Sequence, residues 1–339
     1  MAETRKWFTD TGSHGDVVLS TRVRLARNFA GVPFPSRLPE DMIAQLNAAV
    51  WATAQKMNDF DFSVIQMDSL QAYEAVALAE RHLISADFAA ARDNRVLLLT
   101  PDESVAVMVN ESDHLRMQVL NGGLSLERTY RTADQLDDAF DAAFPFAFDE
   151  RLGFLTKNPA DLGTGMRASV LLHLPALSAQ GSMIRFSSTA SKLGLSVRGV
   201  FGEGGPARGD LYLLSNQVTM GLPEQTALQN LETIALQLAT RERTAAEQYV
   251  TDLTVQDRIR RAHGVLLNAM LLPTDEMLDA LSLVRLGTLY GLLSVSTEAV
   301  NEMFISMQPA NINVMAGMSL PKTERDVLRA RIVRAKLGA

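Results

Sequence analysis

The sequence predicts an α+β fold: a mostly antiparallel sheet flanked by helices, followed by an all-helical C-terminal domain. Three observations predict it. Short apolar runs in the front part are joined by tight polar turns, as where residues 95–100 and 105–109 flank Pro101-Asp102-Glu103 in the manner of a hairpin. Between such runs lie segments whose apolar residues recur every three to four positions, the period of a helix packed on one side. From Glu224 onward the strand pattern stops and the helical one continues alone. The boundary is placed near residue 250, dividing the chain into residues 1–250 and residues 251–339.

In chain order, Val17-Val18-Leu19 leads into the extended segment Ser20-Thr21-Arg22-Val23-Arg24-Leu25-Ala26-Arg27-Asn28. Residues two apart on a strand share a face, so Arg22 and Arg24 point the same way. Pro39 opens a helix carrying Ile43, Leu46, Val50 and Ala54 on one side. Residues 62–67 read as a strand, and Ser69 is the expected N-cap of a helix through Tyr73, Val76 and Leu83. Thr132 is the expected cap of an acidic amphipathic helix through Leu136, Phe140 and Phe144. Residues 165–177 read as a buried helix ending near Pro175. Residues 195–201 and 211–218 read as strands joined by a glycine-rich loop, and Leu228, Leu231, Ala235 and Leu238 mark the next helix.

Composition narrows the function classes. With 339 residues, 47% of them hydrophobic and 21% charged, the chain can bury a sizeable core. A net charge of -7 argues against nucleic-acid binding through a broad basic surface. The absence of cysteine excludes disulfides and thiolate zinc sites. No apolar stretch approaches the roughly 18 residues of a membrane span, and residues 1–15 lack a secretory signal. A soluble cytoplasmic protein is expected, without a membrane or nucleic-acid partner.

Several motifs point to an anion. Arg22 and Arg24 are either a solvated strand edge or a pair of guanidinium forks suited to a polyphosphate. Gly163-Thr164-Gly165-Met166-Arg167-Ala168 matches G-x-G-x-x-A, but no strand precedes it and no Asp or Glu follows from 169 to 202, so a dinucleotide fold is not expected. The same turn placing Arg167 at a helix start would still make an anion site. Asn110-Glu111-Ser112-Asp113-His114-Leu115-Arg116 gathers acids and bases at a strand end. Arg198 interrupts an apolar strand that runs into Gly202-Glu203-Gly204-Gly205, where a loop could carry Glu203 over a substrate. His82 reads as a helix C-terminal dipole partner or a nucleotide contact, and His173 as a core residue. No histidine set suggests a metal.

Taken together, these segments resemble the ATP:guanido phosphotransferases, most closely their bacterial protein-arginine kinase branch. The resemblance rests on residues 20–28, Glu80-Arg-His-Leu-Ile84, residues 110–116, Leu162 to Leu177, Arg198-Gly-Val-Phe-Gly-Glu203 and Ser215-Asn-Gln-Val-Thr219. It implies the catalytic domain shared by guanido kinases and glutamine synthetase. It also implies transfer of the ATP γ-phosphoryl group to arginine side chains of proteins, in protein quality control and stress response. The implied ATP site comprises Ser20, Thr21, Arg22, Val23, Arg24, His82, Arg116, Arg167, Ala168, Ser169, Val170, Leu171, Arg198, Gly199, Val200, Phe201, Gly202 and Glu203. Mg²⁺ would bridge the phosphates without a protein metal site. Glu203 and Glu111 are the candidate catalytic carboxylates. Arg325-Asp326-Val327-Leu328-Arg329-Ala330 matches the R-D-x-x-R-A element that binds phosphoarginine allosterically in that branch. Arg325 and Arg329, four apart on a helix, would form a fork for one phosphate; without the family they are an ordinary charged helix face. Implied partners are proteins with exposed arginine, a zinc-binding activator protein, a stress-response repressor, an AAA+ unfoldase and a second copy of the chain.

Three positions depart from the family pattern. Ser112 stands where a glutamate usually grips the guanidinium and acts as a base, a role commonly worth ~10²- to 10⁴-fold in rate. Asn158 stands where the family has a reactive cysteine, and Asp161 where it has asparagine. These departures support a second reading, a weakened or inactive homologue acting as a nucleotide- and phosphoarginine-binding regulator.

Overall fold

The computed structural model describes residues 6–200 and 207–338. Its elements in chain order begin with β1 (Val18–Arg27), α1 (Glu40–Ala54), β2 (Ser63–Gln66), α2 (Ala72–Glu80), α3 (Ala86–Ala90), β3 (Val96–Leu99), β4 (Val105–Val109), β5 (Leu115–Gly122) and α4 (Leu126–Ala143). They continue with β6 (Phe148–Asp149), β7 (Gly153–Phe154), β8 (Met166–His173), α5 (Pro175–Ala179), α6 (Met183–Lys192), β9 (Leu195–Gly199) and β10 (Leu211–Asn216). The rest is helical: α7 (Glu224–Tyr249), α8 (Leu253–Asn268), α9 (Thr274–Leu289), α10 (Thr297–Ser306), α11 (Pro309–Ala316) and α12 (Lys322–Leu337).

Eight strands form one sheet in the order β2-β3-β4-β5-β1-β8-β10-β9, and every neighbouring pair is antiparallel. One face is a continuous apolar layer: Val23 and Leu25 of β1 and Ala168, Val170 and Leu172 of β8 pack with Leu136 and Phe140 of α4 and Leu228, Leu231 and Leu238 of α7. On the opposite face, one end is covered by a cluster that joins Leu78 of α2 and Phe88 of α3 to Leu97 and Met108. The other end is covered where Leu19, Leu171 and Leu211 meet Leu278, Leu281 and Phe304 of the C-terminal helices. Between these two coverings the strands present their charged residues.

Three local expectations are corrected. The helix expected from Ser69 starts at Ala72, where Gln71 and Glu74 make the capping box; Ser69 instead donates to the Gln66 carbonyl in a short 3₁₀ turn. That helix ends at Glu80, before Leu83, because His82 adopts a left-handed φ of 64°. Thr132 sits inside α4, which begins at Leu126. Residues 165–177 are not one helix: Met166–His173 is a central strand and only Pro175–Ala179 is helical. A strand buried on both faces reads as an unbroken apolar run, which periodicity cannot separate from a buried helix. The hairpin around Pro101, the helix after Pro39 and the helix from Glu224 form as the sequence predicts.

Candidate functional site

Strand alternation and register build the site. Arg22 lies opposite Leu120 of β5 and Ser169 of β8, while Arg24 lies opposite Gln118 and Arg167. One strand further, Leu171 faces Leu213, which faces Arg198 of β9. Residues directly opposite one another share a sheet face, so this register lays the charged and polar side chains of four strands side by side. They floor a cavity of about 670 Å³, lined also by Ser20, His82, Ser85 and Arg116. Thr21, Val23, Ala168 and Val170 alternate to the other face and are buried there.

The electrostatics of the cavity are one-sided. Among the described residues no carboxylate lies within ion-pairing distance of Arg22, Arg24 or Arg198. Burial, with the charges of Arg198 and Arg116, pulls the Arg22 guanidinium down to about 10. The neighbouring Arg22 charge, then burial, holds Arg24 well below the usual arginine range. Like charges forced together in a desolvated place favour loss of a proton or arrival of an anion. Two buried polar atoms lining the cavity, Arg24 Nε and Ser169 Oγ, have no hydrogen-bond partner among the described residues. Burial and the Arg22 charge push His82 down to about 3, so its ring is neutral at physiological pH.

The rim supplies the acids. Residues 110–114 form the loop between β4 and β5, so strand alternation does not turn Glu111 and Asp113 away from the side that Ser112 faces. Ser112 Oγ donates to both, at 3.2 Å to Glu111 and 3.0 Å to Asp113. Glu111 also accepts from Ser85 Oγ and pairs with Arg116 at 2.5 Å. Burial opposes its charge, but Arg116 and these hydrogen bonds outweigh it and hold the carboxyl below its ordinary range. Glu111 thus fixes Arg116 and stays ionised.

Arg167 follows the Gly163–Gly165 turn on a strand, so the helix dipole expected there does not exist. Gly165 has a φ of +62°, and a Cβ there would stand 2.7 Å from the Ala26 carbonyl oxygen and from Arg27 Nη1. Arg27 is buried, stacks 3.6 Å from the Phe154 ring centroid, pairs with Asp137 at 2.8 Å and donates to the Thr164 carbonyl at 2.9 Å. This locks the turn. Asp161 then accepts from Arg167 Nε at 2.7 Å and from Asn158 Nδ2 at 3.2 Å.

The family model for the ATP:guanido phosphotransferase C-terminal catalytic domain matches residues 42–245, and that for the protein-arginine kinase McsB C-terminal domain matches residues 252–339. A protein-arginine kinase of Halothermothrix orenii is 38% identical over 98% of this chain and 96% of its own length. One of Symbiobacterium thermophilum is 40% identical over 100% of this chain and 98% of its own. The chain belongs to the protein-arginine kinase branch of the ATP:guanido phosphotransferases. Its fold is that of solved guanidino kinases: a duplicated taurocyamine kinase from Schistosoma mansoni aligns with a TM-score of 0.62 at 24% identity, covering 77% of this chain and 40% of that one. A lombricine kinase aligns with a TM-score of 0.60 at 20% identity, covering 71% and 72%.

Within this family member the expected ATP-site residues fall into four groups, of which Thr21, Val23, Ala168 and Val170, buried on the other face, are one. Ser20, Arg22, Arg24, His82, Arg116, Ser169, Leu171, Arg198, Gly199 and Val200 line the cavity together. Arg167 lies in register beside Arg24 but is turned toward Asp161 and the carbonyls of Asn216, Gln217 and Ala160. Phe201, Gly202 and Glu203 lie outside the described residues. The register also brings in Gln118, which sequence reading missed; it donates to the His82 carbonyl and so holds that loop over the cavity. Its only signal was alternation with Arg116 along one strand.

On α12 the outcome differs from the expected fork. Arg329 is buried, with Nε donating to the Met307 carbonyl at 2.9 Å and Nη1 to the Leu272 carbonyl at 2.8 Å and to Asp326 at 2.6 Å. Arg325 is partly open and donates to the Leu320 carbonyl at 2.8 Å. Residues four apart share a helix face, but burial of that face turns Arg329 to the core. Val327 is exposed and Ala330 is buried.

Proposed function

We propose that this protein transfers the γ-phosphoryl group of ATP to arginine side chains of proteins. The observation that carries this reading is the cluster of Arg22, Arg24 and Arg198, without neutralising carboxylates among the described residues, around a cavity of about 670 Å³ with two orphaned polar atoms. That volume and polarity suit a nucleotide. Phosphoryl transfer needs positioning and positive charge more than covalent help.

In the step itself a guanidine nitrogen of the substrate attacks the γ-phosphorus; a P–N bond forms and the P–O bond to the β-phosphate breaks. ADP leaves, and the attacking nitrogen gives its proton to a carboxylate. Glu111 sits at the rim for this but is committed to Arg116; Glu203 is assigned from sequence alone. Among the described residues no group of three or more His, Asp or Glu could hold a metal ion. A divalent cation, Mg²⁺ in this reading, would enter with the nucleotide and supply charge neutralisation at its phosphates. The Ser112 and Asn158 departures do not favour an inactive homologue over this reading, since the whole length of the chain matches protein-arginine kinases.

Residues 1–250 would act as the phosphotransferase domain and residues 251–339 as the domain for dimerisation and phosphoarginine binding. A zinc-binding activator protein, a stress-response repressor and an AAA+ unfoldase are the partners the family suggests. No described helix is long and apolar enough to cross a membrane, and the proposed location is the cytoplasm.

The test is incubation with Mg-ATP and an unfolded arginine-rich protein, with mass spectrometry for acid-labile phosphate on arginine. Product is expected from the wild type and none from Arg22→Ala/Arg24→Ala, which should also lose nucleotide binding. No product from wild type, with product appearing in Ser112→Glu, would leave the regulator reading standing instead.

A further inference from the structure

We infer that Asp161 is an internal phosphate mimic, a latch that holds Arg167 away from the nucleotide cavity until a nucleotide phosphate displaces it. The inference rests on the nucleotide reading of the cavity and names how that site is controlled.

Asp161 is 4% exposed, and its Oδ1 accepts from Arg167 Nε at 2.7 Å. Its Oδ2 accepts from Asn158 Nδ2 at 3.2 Å and lies 3.8 Å from Arg116 Nη2. One carboxylate therefore stands between two of the arginines on this face, as a phosphate oxygen would. The remaining Arg167 bonds go to backbone: Nη1 to the carbonyls of Asn216 and Gln217 at 3.2 and 2.9 Å, and Nη2 to that of Ala160 at 2.7 Å. With Nε and both terminal nitrogens engaged, Arg167 does not line the cavity, although register places it directly beside Arg24, whose Nε is orphaned.

A phosphate bound over Arg24 offers Arg167 an anion of higher charge than Asp161. Charge-assisted bonds to phosphate are at least as strong as those to carboxylate, so exchange is favourable, but it must first break the Asp161 contact. Asp161 also repels the incoming phosphate. Its position is where the family usually carries asparagine, and Asn158, where the family has cysteine, donates to it. The two departures thus form one unit: the amide that orients the carboxylate and the carboxylate that occupies the arginine.

The experiment compares wild type, Asp161→Asn and Asn158→Ala by isothermal titration with ATP, ADP and adenosine. Asp161→Asn keeps shape and an acceptor oxygen while removing the charge. It should tighten ATP binding by about tenfold, the worth of one partly screened unit-charge repulsion. ADP should gain less and adenosine nothing, a gradation that a general change in folding would not produce. Asn158→Ala, which removes the donor to Asp161 and the acceptor of the Ala160 N–H that caps its turn, should shift ATP affinity in the same direction by less. Unchanged or weaker ATP binding in Asp161→Asn would overturn the latch and make Asp161 a support of the bound state. An equal gain for adenosine would overturn it as well. Failure of wild type to bind any nucleotide would sink the nucleotide reading itself, a result distinct from these.

Discussion

Replacing Arg329 by alanine should unfold much of the margin that keeps this chain folded, although the residue belongs to a motif read as a ligand site. Its side chain is 1% exposed and holds three acceptors: the Met307 and Leu272 carbonyls and the Asp326 carboxylate, whose own side chain is 11% exposed. Removing the guanidinium strands a largely buried carboxylate, a change that typically costs about 3–5 kcal/mol. The two carbonyls add on the order of 1 kcal/mol each. Domains of ordinary stability have only about 5–15 kcal/mol to lose. Arg325→Ala removes one bond to a carbonyl at a partly open site and should cost about 1 kcal/mol or less. Urea unfolding followed by circular dichroism reads both, with the slope checked for two-state behaviour. The double variant Arg329→Met/Asp326→Asn should recover a large part of the loss, because no charge is left unpaired. If Arg329→Ala shifts the midpoint no more than Arg325→Ala, the assignment of Arg329 to the core is wrong. Arg325→Ala, at a partly open site with a single carbonyl bond, is then the variant that probes phosphoarginine binding without the loss of stability.

Two further outcomes follow from the same structure. His173 accepts from Arg285 Nη1 at Nδ1, 3.0 Å away, so its proton sits on Nε2, which meets Ser282 Oγ at 2.9 Å. Burial, then the Arg285 charge, holds its pKa well below the usual value. Below about pH 6.5 the unfolded chain takes up a proton at this site that the folded chain refuses, so the site's contribution to stability falls with falling pH. His173→Gln should reduce the dependence of the unfolding free energy on pH between 7 and 5 by up to about one proton's worth; an unchanged slope would show that the ring is charged in the fold. Gly165→Ala should destabilise by about 1–3 kcal/mol, since its φ of +62° and the 2.7 Å approach to the Ala26 carbonyl oxygen both exclude a Cβ. Because the same turn sets the start of β8, ATP affinity measured by titration should weaken with it, and a variant of full stability and unchanged affinity would contradict the account.

The sequence by itself determined the side-by-side placement of Arg22 and Arg24, because alternation along one strand is a local property. It likewise determined the helices after Pro39 and Glu224, whose apolar residues recur at a helical period, and the hairpin around Pro101. Enough motifs stood in order to identify the family. What the sequence did not determine was the nature of residues 166–173, where an unbroken apolar run fits a strand or a helix and only pairing with β1 and β10 on either side selects the strand. Nor did it determine which arginines stay open. Among the described residues, Arg22, Arg24 and Arg198 face a cavity without neutralising acids, while Arg167 is taken by Asp161 and Arg329 by Asp326. Whether a guanidinium is a ligand site or part of the core depends on which carboxylates and carbonyls come near it. The two carboxylates lie only six and three residues away in sequence. The carbonyls that complete each capture, those of Asn216 and Gln217 for Arg167 and of Met307 and Leu272 for Arg329, are instead brought there by strand register and helix packing across long stretches of chain, which is a decision of the tertiary structure.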